Sequence, residues 1–181
     1  VFLGRLHEKK NIEAIIEAYS KSNISDKYSL EIIGSSESKK YLLSLKKLVS
    51  KKNMSKKIIF RDFMSGESKQ KILDTSSLLI LASFSENFGI VVLEALSAAT
   101  PVVASLGTPW RELNEMQAGY WVDCEYDRKI LVNTFDQFSK LSSYSFSKMC
   151  KNSLKLAEKY KWENCVEGLQ HRLIRGFKNE Y

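Results

Sequence analysis

Residues 78–96 read LLILASFSENFGIVVLEAL, a strand pattern that changes into a helix pattern across one short loop. The segment Leu78–Leu81 is continuously apolar, which is typical of a parallel strand buried on both faces. Beyond the loop, one helix face is predicted from the spacing of Phe88, Val91, Val92, Ala95, Leu96 and Ala99. A buried strand that leads directly into a buried helix is the repeating unit of an α/β domain.

The same alternation runs through most of the chain. Strands are predicted at Val1–Gly4, Tyr28–Gly34, Lys57–Phe60, Leu78–Ala82, Pro101–Ser105 and Gly119–Val122. Helix faces are predicted at Ile12, Ile15, Ile16 and Tyr19, and at Tyr41, Leu45, Leu48 and Val49. From Lys140 onward only helix is predicted, ending in an amphipathic helix that begins near Trp162. The sequence therefore predicts a Rossmann-like, doubly wound parallel sheet with helices on both faces and a C-terminal helical tail.

Composition limits the class of protein. The chain has 181 residues, 44% of them hydrophobic, which suits one compact domain. No apolar run approaches the roughly 20 residues of a membrane-spanning helix, so an integral membrane protein is not expected. The three cysteines, Cys124, Cys150 and Cys165, fit neither a disulfide framework nor a zinc site, which favours a reducing cytoplasm.

The net charge of +7 comes largely from lysines crowded between Glu37 and Lys57. One interpretation is an ordinary solvated helix face. The other is attraction to an anionic surface such as lipid headgroups. Nucleic acid is not favoured as a partner, because no aromatic residues are interleaved with these lysines in a recognisable binding order.

Ligands of open α/β sheets bind at the carboxyl ends of the strands, so the strand-to-helix loops are the candidate sites. In the first loop, Gly4 allows a tight exit, and Arg5 and Lys10 can converge on one anion such as a diphosphate. The alternative is that these are ordinary loop cations.

The second candidate loop leads into the most apolar helix. Backbone N–H groups of Asn87–Ile90 are expected to be free at the helix N-terminus, where the helix dipole favours negative charge. Glu86 precedes that helix and Glu94 follows within it. An ionised carboxylate can accept two hydroxyl protons, as a vicinal sugar diol offers. Alternatively, Glu86 is a helix-terminal charge and Glu94 a solvated side chain.

In the third loop, Thr108-Pro109 predicts a helix start, with Glu112 close behind. Trp110 either lines a sugar pocket or packs in the core, and the sequence favours neither.

Several motifs are missing from the sequence. The lack of GxGxxG after a strand and of GxxxxGK[ST] disfavours a nicotinamide site and a P-loop. There is no Asp-x-Asp pair, and His7 and His171 are the only histidines, so no metal site is expected.

Two motifs together carry a family resemblance. The first is Glu86-x7-Glu94 in its setting of residues 85–96, followed by Ala99–Ser105, and the second is Gly4-Arg5-Leu6 with Lys10-Asn11. They resemble the nucleotide-sugar-binding half of retaining GT-B glycosyltransferases, the glycosyl transferases group 1 or family 4. Residues 107–113 and 118–123 are further similar to members that build bacterial lipopolysaccharide or other surface glycans.

The resemblance implies a role for each matching residue. Arg5 and Lys10 are expected to stabilise the leaving diphosphate, and Glu94 is expected to accept the ribose hydroxyls. The donor sugar and phosphate are assigned to Glu86, Gly4 and the N–H groups of Asn87, Phe88, Gly89 and Ile90. The nucleobase is assigned to residues 61–64, with Phe63 and Met64 as contacts, although Asp62 stands where the family often has glycine. No metal or other cofactor is implied.

The resemblance also implies that residues 1–181 form a single donor-binding domain without the family's N-terminal acceptor domain. We therefore expect the chain to bind a nucleotide-diphosphate sugar and to transfer little or nothing alone. A cytoplasmic location is expected, with peripheral contact at the inner face of an anionic membrane left open by the lysine-rich segment. Two other interpretations stay open: a related GT-B enzyme such as an epimerase or phosphorylase, and a non-catalytic nucleotide-sugar-binding module from a split or degenerate transferase.

Overall fold

The computed structural model describes residues 1–124 and 128–161. The strands in these ranges are β1 (Phe2–Leu3), β2 (Leu30–Ile33), β3 (Ile58–Arg61), β4 (Leu79–Leu81), β5 (Val102–Ser105) and β6 (Gly119–Val122). The helices are α1 (Ile12–Lys21), α2 (Ile24–Lys27), α3 (Lys39–Lys51), α4 (Gly66–Thr75), α5 (Ile90–Ser97), α6 (Glu112–Glu115), α7 (Arg128–Ser139) and α8 (Ser143–Glu158). Every predicted strand is present, with ends within two residues of the prediction.

The strands form a parallel sheet. Strand β2 pairs with β1 and β3, and β5 pairs with β4 and β6. The two groups adjoin at β1 and β4, where the Ile80 N–H donates to the Val1 carbonyl at 2.9 Å. The spatial order is therefore β3-β2-β1-β4-β5-β6, which is the Rossmann order. This confirms the predicted α/β fold and places the reversal of strand order between β1 and β4.

Helices cover the sheet in two groups. On one side α1 packs against α3 and α7, and on the other α5 packs against α4 and α8. The predicted inward residues of α1, Ile12, Ile15, Ile16 and Tyr19, are all buried. Strand β5 is buried along its whole length, as expected for a strand covered on both faces.

Two local predictions differ from the structure. The helix predicted to start at Thr108-Pro109 begins instead at Glu112. The reason is that both the N–H and the hydroxyl of Thr108 donate to the Ser105 carbonyl, at 3.0 and 2.7 Å, which closes a turn and leaves no cap for a helix. The helix predicted between Phe88 and Ala99 is shorter: α5 runs from Ile90 to Ser97, because the backbone is left-handed at Gly89 (φ 73°) and at Ala99 (φ 58°).

The predicted final helix beyond Trp162 lies outside the described residues. Within the described ranges, no helix combines the length and the apolar character that crossing a membrane requires.

Candidate active site

The candidate site is a cleft of about 920 Å³ between the loops that follow β1 and β4. It therefore lies at the carboxyl ends of the two strands where the strand order reverses, the usual ligand position in this fold. Two backbone hydrogen bonds tie the loop after β4 to the loops that follow β1 and β5. The Phe84 N–H donates to the Lys9 carbonyl at 2.9 Å, and the Glu86 N–H donates to the Gly107 carbonyl at 2.8 Å.

Lys10 and Glu86 form an ion pair inside this cleft. The Lys10 ammonium donates to Oε1 of Glu86, and the two side chains are only 19% and 15% exposed. The Ser83 hydroxyl donates to the same oxygen at 2.9 Å. The carboxylate is thus fixed through one oxygen, and Oε2 has no hydrogen-bond partner within the ranges that the structure describes. The structure brings together the cation and the acid that the sequence had placed on different loops.

Arg5 lines the same cleft without joining this pair. Its side chain is 75% exposed, and its guanidinium lies 4.0 Å from the Glu37 carboxylate. Such an exposed contact is worth little, so the guanidinium is free to reorient toward an anion in the cleft.

The N-terminus of α5 forms one wall of the cleft. Gly89 precedes the helix with φ 73°, a backbone region that glycine occupies without strain. Among the described residues, none accepts a hydrogen bond from the N–H groups of Gly89 and Ile90. These donors and the positive end of the helix dipole together suit an anionic ligand.

Trp110 holds this wall from behind. Its indole Nε1–H donates to the Phe88 carbonyl at 2.5 Å, and the two rings lie 5.0 Å apart. The Trp110 side chain is fully buried. Of the two possibilities for Trp110, the structure therefore shows packing in the core.

A residue beyond α8 completes the support. The Tyr160 ring lies 5.1 Å from Trp110 and 5.7 Å from Phe88, and its hydroxyl donates to Oε2 of Glu112. That hydrogen bond, aided by Lys159 at 3.0 Å, lowers the pKa of Glu112. Tyr160 was not among the predicted site residues, because nothing in the sequence around it indicates a contact with Phe88, more than 70 positions earlier.

Glu94 lies beside a smaller cavity of about 160 Å³, which Phe63, Met64 and Ile90 help to line. Its Oε1 accepts a 2.5 Å hydrogen bond from the Nζ of Lys69. The structure thus brings the predicted ribose acceptor next to the predicted base contacts. Lys69 was missed, because one lysine in a lysine-rich chain gives no distinguishing signal.

The other two residues of the predicted base segment, Arg61 and Asp62, do not line the cavity beside Glu94. Arg61 makes two hydrogen bonds to the Glu31 carboxylate, at 2.8 and 3.0 Å. Asp62 is exposed and contributes to neither cavity.

The described part of the chain holds no group of three or more metal-ligating side chains. The metal-independent chemistry implied by the resemblance stays a prediction.

The fold and the cleft define the class as a Rossmann-like domain with its ligand site at the strand switch. The profile of the glycosyl transferases group 1 family matches residues 1–159. The chain belongs to this family, and its fold matches the Rossmann-like domains of GT-B glycosyltransferases.

Three known proteins illustrate the similarity. An uncharacterized glycosyltransferase of Methanocaldococcus jannaschii is 31% identical over 170 residues, covering 92% of this chain and 42% of that protein. WaaG, a glycosyltransferase involved in lipopolysaccharide biosynthesis, matches with a TM-score of 0.76 and 18% identity, over 87% of this chain and 41% of its own. Anabaena HepE in complex with UDP-glucose matches with a TM-score of 0.80 and 17% identity, over 97% of this chain and 47% of its own. The chain thus spans less than half the length of each protein.

Proposed function

We propose that this chain is the donor-binding domain of a retaining glycosyltransferase that uses a nucleotide-diphosphate sugar. The observation that carries the proposal is the placement of two lysine–glutamate pairs, Lys10–Glu86 and Lys69–Glu94, on either side of the α5 N-terminus. Each pair offers a cation and a carboxylate that can accept hydrogen bonds from sugar hydroxyls. The N–H groups between the two pairs suit a diphosphate. HepE, whose complex contains UDP-glucose, shares the fold that carries this cleft.

The proposed reaction breaks the bond between the anomeric carbon and the terminal phosphate oxygen. The electron pair leaves with the nucleoside diphosphate. The acceptor oxygen bonds to the anomeric carbon on the same face of the sugar, and its proton passes to the departing phosphate oxygen. Lys10, Arg5 and the α5 N–H groups stabilise the charge that develops on the leaving diphosphate. Glu86 holds the donor sugar through its hydroxyls, and no metal takes part.

The acceptor is proposed to be a surface glycan, such as lipopolysaccharide or capsule. The support is the resemblance of residues 107–113 and 118–123 and the fold shared with WaaG. Because the chain spans less than half the length of the three proteins compared above, we assign acceptor binding to an N-terminal domain outside this sequence. The 181 residues alone are then expected to bind donor and to transfer little sugar.

The lysine-rich face of α3 is proposed to contact anionic lipid at the inner face of the cytoplasmic membrane. Exposed lysines of this face are Lys39, Lys40, Lys46, Lys47 and Lys51. The helix has no acidic residue, and Leu43 between the lysines is 57% exposed. Each lysine near an anionic surface contributes about 1 kcal/mol, and salt weakens the attraction.

Co-sedimentation with vesicles containing phosphatidylserine tests this contact. Replacing Lys39, Lys40, Lys46 and Lys47 by glutamate should abolish binding at low salt. The control reverses three exposed lysines of α8, Lys148, Lys151 and Lys155. If both variants bind alike, or if binding is absent or insensitive to salt, the α3 lysines are an ordinary solvated face.

Thermal unfolding with UDP-, GDP- and ADP-sugars tests donor binding. A ligand at 100 times its Kd adds about 2.7 kcal/mol to stability. For a chain of this size that raises the Tm by about 5–10 °C. The shift should vanish in Glu94→Ala and weaken in Arg5→Ala plus Lys10→Ala, whereas Glu67→Ala on the exposed face of α4 should leave it unchanged. If no nucleotide sugar raises the Tm at millimolar concentration, the proposed function is wrong.

A further inference from the structure

Lys69 is the cationic half of a charged pair in an otherwise apolar cavity. It lies on α4, its Nζ is 2.5 Å from Oε1 of Glu94 on α5, and both side chains are 31% exposed. The other cavity residues are Leu3, Gly4, Ile33, Phe63, Met64, Ile90 and Val91. Any polar group that enters this cavity therefore meets Lys69 and Glu94 as its charged partners.

A sugar hydroxyl both donates and accepts hydrogen bonds. A carboxylate alone can accept hydrogen bonds from the sugar O–H groups, but it cannot donate to their oxygens. When the sugar enters the cavity, those oxygens lose their hydrogen bonds from water and have no protein donor in exchange. An ammonium group next to the carboxylate supplies the missing donor. Leaving a desolvated hydroxyl oxygen unpaired is costly, so a Lys–Glu pair selects a vicinal diol better than a lone glutamate does.

We propose that Lys69 is a specificity-determining residue, which donates to a ribose hydroxyl of the bound nucleotide while it holds the Glu94 carboxylate in place. The proposal rests on the proposed donor-binding function and adds a residue to its ribose site. Lys69 keeps two ammonium protons beyond the one given to Glu94, so it can hold the carboxylate and the hydroxyl together.

The experiment compares UDP with 2′-deoxy-UDP and 3′-deoxy-UDP by isothermal titration calorimetry. Wild-type protein should prefer UDP over at least one deoxy form by tenfold or more. Lys69→Met should weaken UDP binding and bring that preference down to about two- to threefold. Lys69→Arg, which keeps a cationic donor, should retain most of the preference. Lys71→Met, an exposed lysine on the same helix, should change neither affinity nor preference.

Other outcomes separate this proposal from the proposed function. If Lys69→Met weakens all three nucleotides by the same factor, Lys69 supplies only general positive charge, and the proposal fails while donor binding stands. If UDP binds equally well to wild type and to Glu94→Gln, the ribose site is misplaced and this proposal fails while donor binding stands. If wild type binds none of the three nucleotides, the proposed function fails. Thermal unfolding without ligand shows whether Lys69→Met is folded. If it is not, the wild-type preference and its retention in Lys69→Arg decide the question, and loss of preference in folded Lys69→Arg overturns the proposal.

Discussion

Replacing Trp110 by phenylalanine tests whether the buried indole supports the wall of the cleft that the α5 N-terminus forms. The substitution removes the donor to the Phe88 carbonyl, a bond of 2.5 Å, from a fully buried side chain. Leaving that carbonyl without its partner costs about 1–2 kcal/mol, in the lower part of the usual range because Phe88 is partly exposed. The lost volume of roughly 40 Å³ adds about 1 kcal/mol as a cavity.

The expected loss is therefore about 2–3 kcal/mol, which lowers the Tm by about 4–12 °C for a chain of this length. Urea unfolding gives the free energy, and calorimetric titration with UDP gives the affinity, which should fall because the α5 N-terminus loses its support. Trp121→Phe is the matched control. Its indole donates to the Thr108 carbonyl at 3.0 Å, away from Phe88, so this variant should lose some stability and keep its affinity. A Trp110→Phe protein within 0.5 kcal/mol of wild type, or one with unchanged affinity, would show that the indole does not support the α5 N-terminus.

Three further results are expected. In Gly107→Ala the new Cβ would lie 2.2 Å from the Phe84 carbonyl oxygen, so the loop after β4 must move. Calorimetry should show UDP binding at least tenfold more weakly, and the unligated variant should unfold at a lower urea concentration than wild type. The Tyr160 hydroxyl lowers the pKa of Glu112 in the folded state, so the ionised carboxylate stabilises the fold fully above its ordinary pKa of about 4.3, and this stabilisation is lost as the pH falls through the folded pKa. Tyr160→Phe should therefore reduce the free energy of unfolding at pH 7 and reduce it progressively less toward pH 3. A loss in urea unfolding that does not change with pH would contradict this. Burial raises the pKa of the Cys124 thiol to about 12, so iodoacetamide at pH 8 should label Cys124 only in urea-unfolded protein. Rapid labelling of Cys124 in the native protein, detected by mass spectrometry, would count against its burial.

Much of the fold was predictable, because a strand that is buried on both faces has a continuous run of apolar residues. The continuous apolar run of β4 and the spacing of Ile12, Ile15 and Ile16 in α1 each have one structural solution in a layered α/β domain. The predicted helix start at Thr108 failed because two competing uses of its hydroxyl, capping a helix and closing a turn, look identical in sequence.

The candidate site was predictable only in part. Lys10, Glu86 and Glu94 follow strand ends or occupy a helix of known direction, so the sequence places them near the same edge of the sheet. Lys69 and Tyr160 act through partners 25 and 50 positions away, Glu94 and Trp110, and no local pattern encodes those pairings. They depend on how α4 and α8 pack against α5, which only the folded chain determines.

A crystal structure of this chain soaked with UDP would show where the nucleotide binds. The diphosphate should lie within about 3.2 Å of the Lys10 ammonium and the Ile90 N–H, with a ribose hydroxyl at the same distance from the Glu94 carboxylate. UDP bound away from the β1–β4 switch, for example in the cavity of about 310 Å³ lined by Tyr28 and Phe138, would mean that the cleft is not the donor site.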